Sequence, residues 1–191
     1  MQPAIVHLIG PPAAGKLTIA RNLAEQATAA GHHTVVLDNH HTNNVIFAVL
    51  DTDGRTPLPE QVWTHVGQVR EAMFAAIEEL SPPSWSFVFT NVLVDDAALD
   101  HGYVDRLSAL AEATGRRYRP VNLTCHPDQL VARAANPDRV ARMKWVDPQG
   151  IAAFASEARM LRLTGPDALD LDSTTTPPVE SARAILDHLL R

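Results

Sequence analysis

Short apolar blocks alternate along this chain with longer stretches in which apolar positions recur every three or four residues. Blocks of five or six apolar residues read as buried strands, and the longer recurrence reads as helices packed on them. Ala4–Ile9 predicts strand one, and a helix is expected over 15–30. Gly31-His32-His33 is an ordinary turn into strand two, Thr34–Asp38. The polar run Asn39-His40-His41-Thr42-Asn43-Asn44 reads as a loop that opens a short apolar helix over 45–50. A loop over 51–57 and a long helix over 60–80 follow, with Val62, Val66, Val69, Met73, Ile77 and Leu80 as a core stripe. Ser81-Pro82-Pro83 stops that helix before strand three, Ser86–Asn91. The remainder predicts a helix over 96–114, strand four over 118–124, a helix start at Pro127, a helix over 148–163, strand five over 168–172 and a closing helix over 177–190. In that last helix Val179, Ala182, Leu186 and Leu189 form a docking face. Alternating strands and helices predict an α/β fold of three layers, a parallel sheet with crossover helices, in one domain over 1–191.

Directly behind strand one stands Gly10-Pro11-Pro12-Ala13-Ala14-Gly15-Lys16-Leu17-Thr18. This is the spacing G-x-x-x-x-G-K between a buried strand and a helix, the context that marks a phosphate-binding P-loop. Glycines let successive backbone N–H groups turn inward, and the helix N-terminus adds partial positive charge. Gly10, Ala13, Ala14, Gly15, Lys16, Leu17 and Thr18 are therefore the expected nucleotide-binding residues, with the Lys16 charge on the outer phosphates. Leu17 occupies the position where a magnesium-binding hydroxyl is usual, and Thr18 follows one residue later. Magnesium is accordingly expected to be held by phosphates and water, with Thr18 reaching it through water.

Net charge of −6 argues against a general nucleic-acid binder, which needs a broad basic footprint. Within that acidic total, Arg133, Arg139, Arg142 and Lys144 oppose only Asp138 over 133–144, a local cluster suited to a small polyanion such as ATP. A single cysteine, Cys125, excludes an internal disulfide and a zinc-finger framework, and reads as a small buried strand-end residue. No apolar run approaches a membrane span, and a core strand beginning at Ala4 leaves no room for a signal peptide, so a cytoplasmic setting is expected. Asp51-Thr52-Asp53-Gly54 has the opening of a calcium loop without its remaining ligands.

The P-loop, an acidic residue ending strand two and an arginine-bearing segment after strand four together resemble the small P-loop kinases: shikimate kinase, the adenylate-kinase-like nucleotide kinases and chloramphenicol phosphotransferase. The spelling Gly-Lys-x-Thr-Ile-x-Arg-x-Leu-Ala from Gly15 is most similar to the shikimate kinase start. Asp38-Asn39-His40-His41-Thr42 also resembles a bacterial branch with an Asn-His-x-Thr signature, and Asp172-Ser173-Thr174 matches the last strand and turn. The glycine-rich acceptor segment of shikimate kinase is missing after strand three, where Thr90-Asn91-Val92-Leu93-Val94 stands. The resemblance implies a P-loop fold with a five-stranded parallel sheet in the order 2-3-1-4-5, a small lid over 133–147, and ATP and magnesium as cofactors. It implies transfer of the γ-phosphoryl of ATP to a hydroxyl of a small molecule.

Under that implication Lys16, Asp38 and Arg139 are the expected catalytic residues. Asp38 ends a strand on the edge where α/β sheets place ligands, as base or orienter of the acceptor hydroxyl and outer-sphere magnesium partner; the plain alternative is a helix N-cap. Arg133 would lie flat against adenine, and Arg139 would reach the transferring phosphate with Arg142 or Lys144 assisting. His40, Arg70 and Arg142 are the expected acceptor contacts, Arg70 toward an anionic group. Of the adjacent His40 and His41, at most one is expected to act, and a metal site with Asp38 is the lesser reading. Asn91 stands where many P-loop proteins carry a magnesium-facing aspartate, with Asp95 and Asp96 beyond it as substitutes or helix caps. Two further readings stay open: a regulatory protein that holds ATP and transfers nothing, and a kinase of a nucleic-acid or tRNA end using Arg116, Arg117 and Arg119.

Overall fold

The computed structural model describes residues 1–191. Five strands form one parallel sheet in the order β2-β3-β1-β4-β5: β1 Ala4–Ile9, β2 Thr34–Asp38, β3 Ser86–Asn91, β4 Arg117–Thr124 and β5 Leu169–Asp172. Seven α-helices connect them: α1 Lys16–Ala29, α2 Asn39–Phe47, α3 Gln61–Leu80, α4 Ala98–Ala113, α5 Pro127–Ala134, α6 Pro148–Glu157 and α7 Pro178–Leu189. Both faces of the sheet are covered, which is why β1 and β3 read as unbroken buried blocks rather than as alternating ones. On one face Ala4, Val6 and Leu8 meet Ile19 and Leu23 of α1 and Ile185 and Leu186 of α7. On the other Ile5 and Phe89 meet Phe74 and Ile77 of α3 and Leu107 and Leu110 of α4.

Register aligns the functional ends. Asp38 pairs with Thr90 across β2–β3, and Ile9 with Asn91 across β3–β1, so Asp38, Asn91 and Gly10 emerge on one sheet edge. Gly10 is required by packing: a Cβ there would meet the carbonyl oxygen of Leu123 at 2.7 Å and its Cβ at 2.9 Å. Gly10→Ala is expected to destabilise the fold by about 1–3 kcal/mol, read as a lower urea midpoint, because β4 backbone cannot move aside cheaply. An unchanged midpoint would contradict this packing account.

Several expected elements differ. The polar run after β2 is helical from Asn39: Thr42 Oγ donates to the Asn39 carbonyl, His40 bonds Asn44 one turn on, and Thr42 and Asn43 are buried. Polar residues here are the inward face, so an apolar periodicity could not reveal the helix. The core face of α3 is Val62, Val66, Phe74 and Ile77, while Leu80, the last residue of the helix, is 78% exposed. In α7, Ala182, Leu186 and Leu189 dock with Ser181 and Ile185, but Val179 is exposed. Helix α6 stops at Glu157 instead of 163, because the following backbone pairs with residues after β3: Asp95 donates to the Arg159 carbonyl and Leu161 to that of Leu93. That pairing carries Leu161 into a small cluster with Ile9 and Leu93. Ala97, not Asp95 or Asp96, takes the N-cap position of α4; Asp95 pairs with Arg159 at 2.5 Å, so the capping expectation is corrected. Between α5 and α6 the chain forms a 3-10 turn, Pro137–Arg142, and a loop through Asp147. No helix is long and apolar enough to cross a membrane.

Candidate active site

At the end of β1 the chain turns through Pro11 and Pro12 into two left-handed residues, Ala13 at φ 65° and Gly15 at φ 86°, with Ala14 between them. A left-handed alanine costs energy that its surroundings must hold in place. Ser173 does this: its hydroxyl bridges the Ala14 and Thr124 carbonyls at 3.0 and 2.9 Å and is buried at the end of β5. The alternation makes a concave row of N–H groups running into the N-terminus of α1, which no side chain caps. Lys16 folds over this row and donates to the Gly10 and Pro11 carbonyls, both at 2.7 Å. Burial and the neighbouring Lys144 bring its ammonium down to about 7 against the pull of Asp38. Leu17 is half-buried and Thr18 exposed on the first turn of α1.

A second group gathers around Asp38, which is 6% exposed. Thr90 Oγ donates to Oδ1 at 2.5 Å, and Lys144 Nζ to Oδ2 at 2.8 Å. The backbone of Asp38 is the N-cap of α2, yet its side chain caps nothing, because both oxygens serve these two donors. Burial pushes its carboxyl up, but the Lys144 charge and the two donated bonds outweigh this and leave it below the ordinary range. Arg139 feels the same carboxylate while its Nε and Nη2 donate to the Trp145 carbonyl at 3.2 and 2.6 Å. His40, on the first turn of α2, is half-buried and driven to about 4 by burial and Lys144; His41, a helical step on, is exposed. The pair thus lies on a helix, and one member faces the site. Arg142 lies within charge range of Lys144, and its carbonyl accepts from Asn44 at 3.2 Å.

Beneath the loop runs a buried polar chain. Tyr118 OH lies 2.8 Å from His7 Nδ1, and His7 Nε2 lies 3.1 Å from Asn91 Oδ1. Asn91 Nδ2 donates to Asn39 Oδ1 at 3.1 Å, and Arg70 Nη2 donates to Asn39 at 2.8 Å and Asn43 at 3.2 Å. Because the Asn91 amide is already spent on Asn39, its Oδ1 accepts from His7 Nε2–H, which fixes neutral His7 with Tyr118 donating to Nδ1. Asn91 therefore braces β1, β3 and α2 and does not face a metal. Burial forces the His7 pKa to about 3. The unfolded chain takes up this proton near 6.5, so stability present at neutral pH is lost as pH falls below 6.5, down to about 3. Between pH 7 and 5 the His7 share of that loss is expected to be about 2 kcal/mol, at about 1.4 kcal/mol per unit, with His40 adding in the same direction. Urea midpoints at the two pH values check it, and His7→Gln should flatten the difference; equal slopes in both proteins would contradict it.

Two expected assignments change, those of Cys125 and of the arginines over 116–119. Arg133, on α5, donates to the Ser173 and Thr174 carbonyls at 2.8 and 3.0 Å, so it ties the β5–α7 turn to that helix. Cys125 is half-buried beside it, not enclosed. Arg116 is committed to the Trp85 and Pro82 carbonyls, and Arg119 is paired with Asp167. Both arginines are buried, so the triplet with Arg117 makes no basic surface for RNA. Lys144, expected only to assist at the phosphate, is the partner of Asp38. Asn39, Asn43 and His7 are site residues that the sequence does not single out, and the one signal for them is an ionisable residue, His7, inside an otherwise apolar strand.

No three His, Cys, Asp or Glu side chains converge as a metal site. Leu17 offers no oxygen, Asn91 is spent, and both Asp38 oxygens have protein donors. These residues fit a magnesium ion held by phosphates and water and do not fit one bound directly by the protein.

No protein-family model matches the chain, and comparison with the curated proteins finds no relative. Solved structures do match over nearly the whole length. A proposed kinase from Chloroflexus aurantiacus is 18% identical, covering 99% of this chain and 97% of that one at a TM-score of 0.67. A gluconokinase from Sinorhizobium meliloti is 16% identical, covering 100% and 93% at 0.63. The APS kinase of Mycobacterium tuberculosis, in complex with AMPPNP and APS, is 14% identical, covering 100% and 99% at 0.63. The chain has the fold of the P-loop kinases.

Proposed function

We propose that this protein is an ATP-dependent phosphotransferase that moves the γ-phosphoryl group to a hydroxyl of a small molecule. The observation that carries the reading is the meeting of Lys16, Asp38, Lys144 and Arg139 at the mouth of a P-loop. One carboxylate held ionised among three cations suits an acceptor hydroxyl brought up to a polyphosphate. ATP would lie with its phosphates on the amides of Ala13 to Thr18 and on Lys16, and its adenine toward the Arg133 turn. The acceptor would lie against α2 and α3, near His40, Arg70 and Arg142. Magnesium, carried by the phosphates with Asp38 and Thr18 facing it through water, would neutralise charge on the β- and γ-phosphates.

Transfer breaks the bond between the γ-phosphorus and the oxygen shared with the β-phosphate, whose electron pair leaves with ADP, and forms a bond to the acceptor oxygen. Asp38 orients the acceptor hydroxyl and receives its proton. Paired with Lys144 it is a weak base, which suits a largely dissociative transition state where positioning counts for more than basicity. Arg139 and Arg142, on a lid over 133–147, would close on the transferring group and exclude water. Acidic overall charge and the committed Arg116 and Arg119 disfavour a nucleic-acid acceptor. Leu17 favours the alternative of an ATP-holding regulator.

The test is transfer from γ-labelled ATP to a panel of hydroxyl-bearing metabolites, nucleotides, and aminoglycoside and phenicol antibiotics. A labelled small product supports the kinase. Label found only in a bound, unreacted nucleotide across the panel moves the assignment to the regulator.

A further inference from the structure

Lys144 stands where a merely structural lysine would be poorly placed. Its side chain is 15% exposed, and its ammonium makes one protein hydrogen bond, to Asp38 Oδ2 at 2.8 Å, which leaves two N–H donors without a protein acceptor. Lys16, Arg139 and Arg142 all lie within charge range, so its neighbours repel it. A buried ion pair set among like charges gains little for the fold and gains much when an anion arrives.

The backbone holds this lysine in place from several sides. Met143 before it is left-handed at φ 51° and packs against Phe47, Val62 and Val66. The Lys144 N–H donates to the Arg139 carbonyl at 3.0 Å. Its own carbonyl comes so close to Gly54 that a Cβ there would lie 2.5 Å from it, and the next-but-one N–H, of Val146, donates to the Gly54 carbonyl at 3.0 Å. Gly54, at φ 71°, thus admits the segment to the tip between α2 and α3. The same chain lacks protein ligands for a metal at both usual positions, Leu17 and Asn91.

We infer that Lys144 is a further catalytic residue, a fixed bridge that keeps one N–H on Asp38 and donates the other two to oxygens of the transferring phosphoryl group. It rests on the phosphotransferase reading above. The bridge sets the distance between the acceptor hydroxyl, oriented by Asp38, and the phosphorus it attacks. It also supplies beside the γ-phosphate a positive charge that the protein does not supply through a bound metal. Lys144 remains an ammonium throughout; the acceptor proton goes to Asp38 and the electron pair to ADP.

The experiment compares full-length wild type, Lys144→Met, Lys144→Arg, Asp38→Asn and the double variant Asp38→Asn/Lys144→Met in transfer from γ-labelled ATP. Lys144→Met should lose about a hundredfold in kcat with the ATP KM changed by less than about fivefold, and Lys144→Arg should recover at least about a tenth of the wild-type rate. The double variant removes the buried unpaired carboxylate, so it keeps the question open to measurement even where Lys144→Met does not fold. It should be slower than Asp38→Asn alone by at least about tenfold. Equal rates for Asp38→Asn and the double variant would mean that Lys144 only neutralises Asp38, and would overturn the proposal. Absence of transfer by wild type would instead overturn the functional reading beneath it.

Discussion

Lys16→Ala lowers phosphoryl transfer by at least about a hundredfold and leaves the protein folded. The large effect is expected because the lysine is the one full charge carried by the P-loop itself, and its amine already lies over the loop, 2.7 Å from two of its carbonyls. A triphosphate would replace those carbonyls with stronger, charged acceptors. The small cost to folding follows from the same surroundings. Lys16 shares its space with Lys144 and Arg139, and burial has brought it to about 7, so removing it relieves repulsion as it removes two hydrogen bonds. The thermal midpoint and the transfer rate, measured on one preparation, separate the two effects. Wild-type transfer by a folded Lys16→Ala protein would sink the P-loop assignment.

Asp38→Asn is expected to lower kcat by about a hundredfold while ATP affinity stays within about threefold. An asparagine oxygen can still accept from Thr90 in the place of Oδ1, so the end of β2 should keep its geometry. Its amide cannot take a proton from the acceptor, while the backbone contacts of Lys144 keep that lysine beside the site. The loss should therefore appear in turnover and not in nucleotide binding, which calorimetric titration with a non-hydrolysable ATP analogue can separate. A normal kcat would remove Asp38 from the chemistry and return it to its other role as the N-cap of α2. A loss of ATP affinity equal to the loss in rate would make it part of the nucleotide site instead.

The strands were legible because parallel strands buried on both faces carry apolar runs, and the P-loop because its spacing sits between such a strand and a helix. Strand order was reached through resemblance, not through periodicity, and the basic residues after β4 through their charge, while the 3-10 turn that carries them had no signal in the sequence. Helix α2 was hidden since its buried face includes Thr42 and Asn43, polar residues whose side chains are satisfied by the Asn39 carbonyl and by Arg70. Leu80 shows the converse failure: an apolar residue in phase with the stripe is the last of α3 and faces water. Pairing of Lys144 with Asp38 spans 106 residues, and nothing local in either segment encodes it. The charge of Arg133 is legible in the sequence, whereas its bonds to the Ser173 and Thr174 carbonyls depend on where folding brings that turn.

Phosphorus-31 NMR of ATP, magnesium and the protein in a small-molecule metabolite extract tests the central claim most directly, since it follows donor and product together. The account predicts a new phosphate-ester signal that grows in step with ADP and is lost with Lys16→Ala. ADP matched only by inorganic phosphate, or ATP left intact while it is bound, would contradict it.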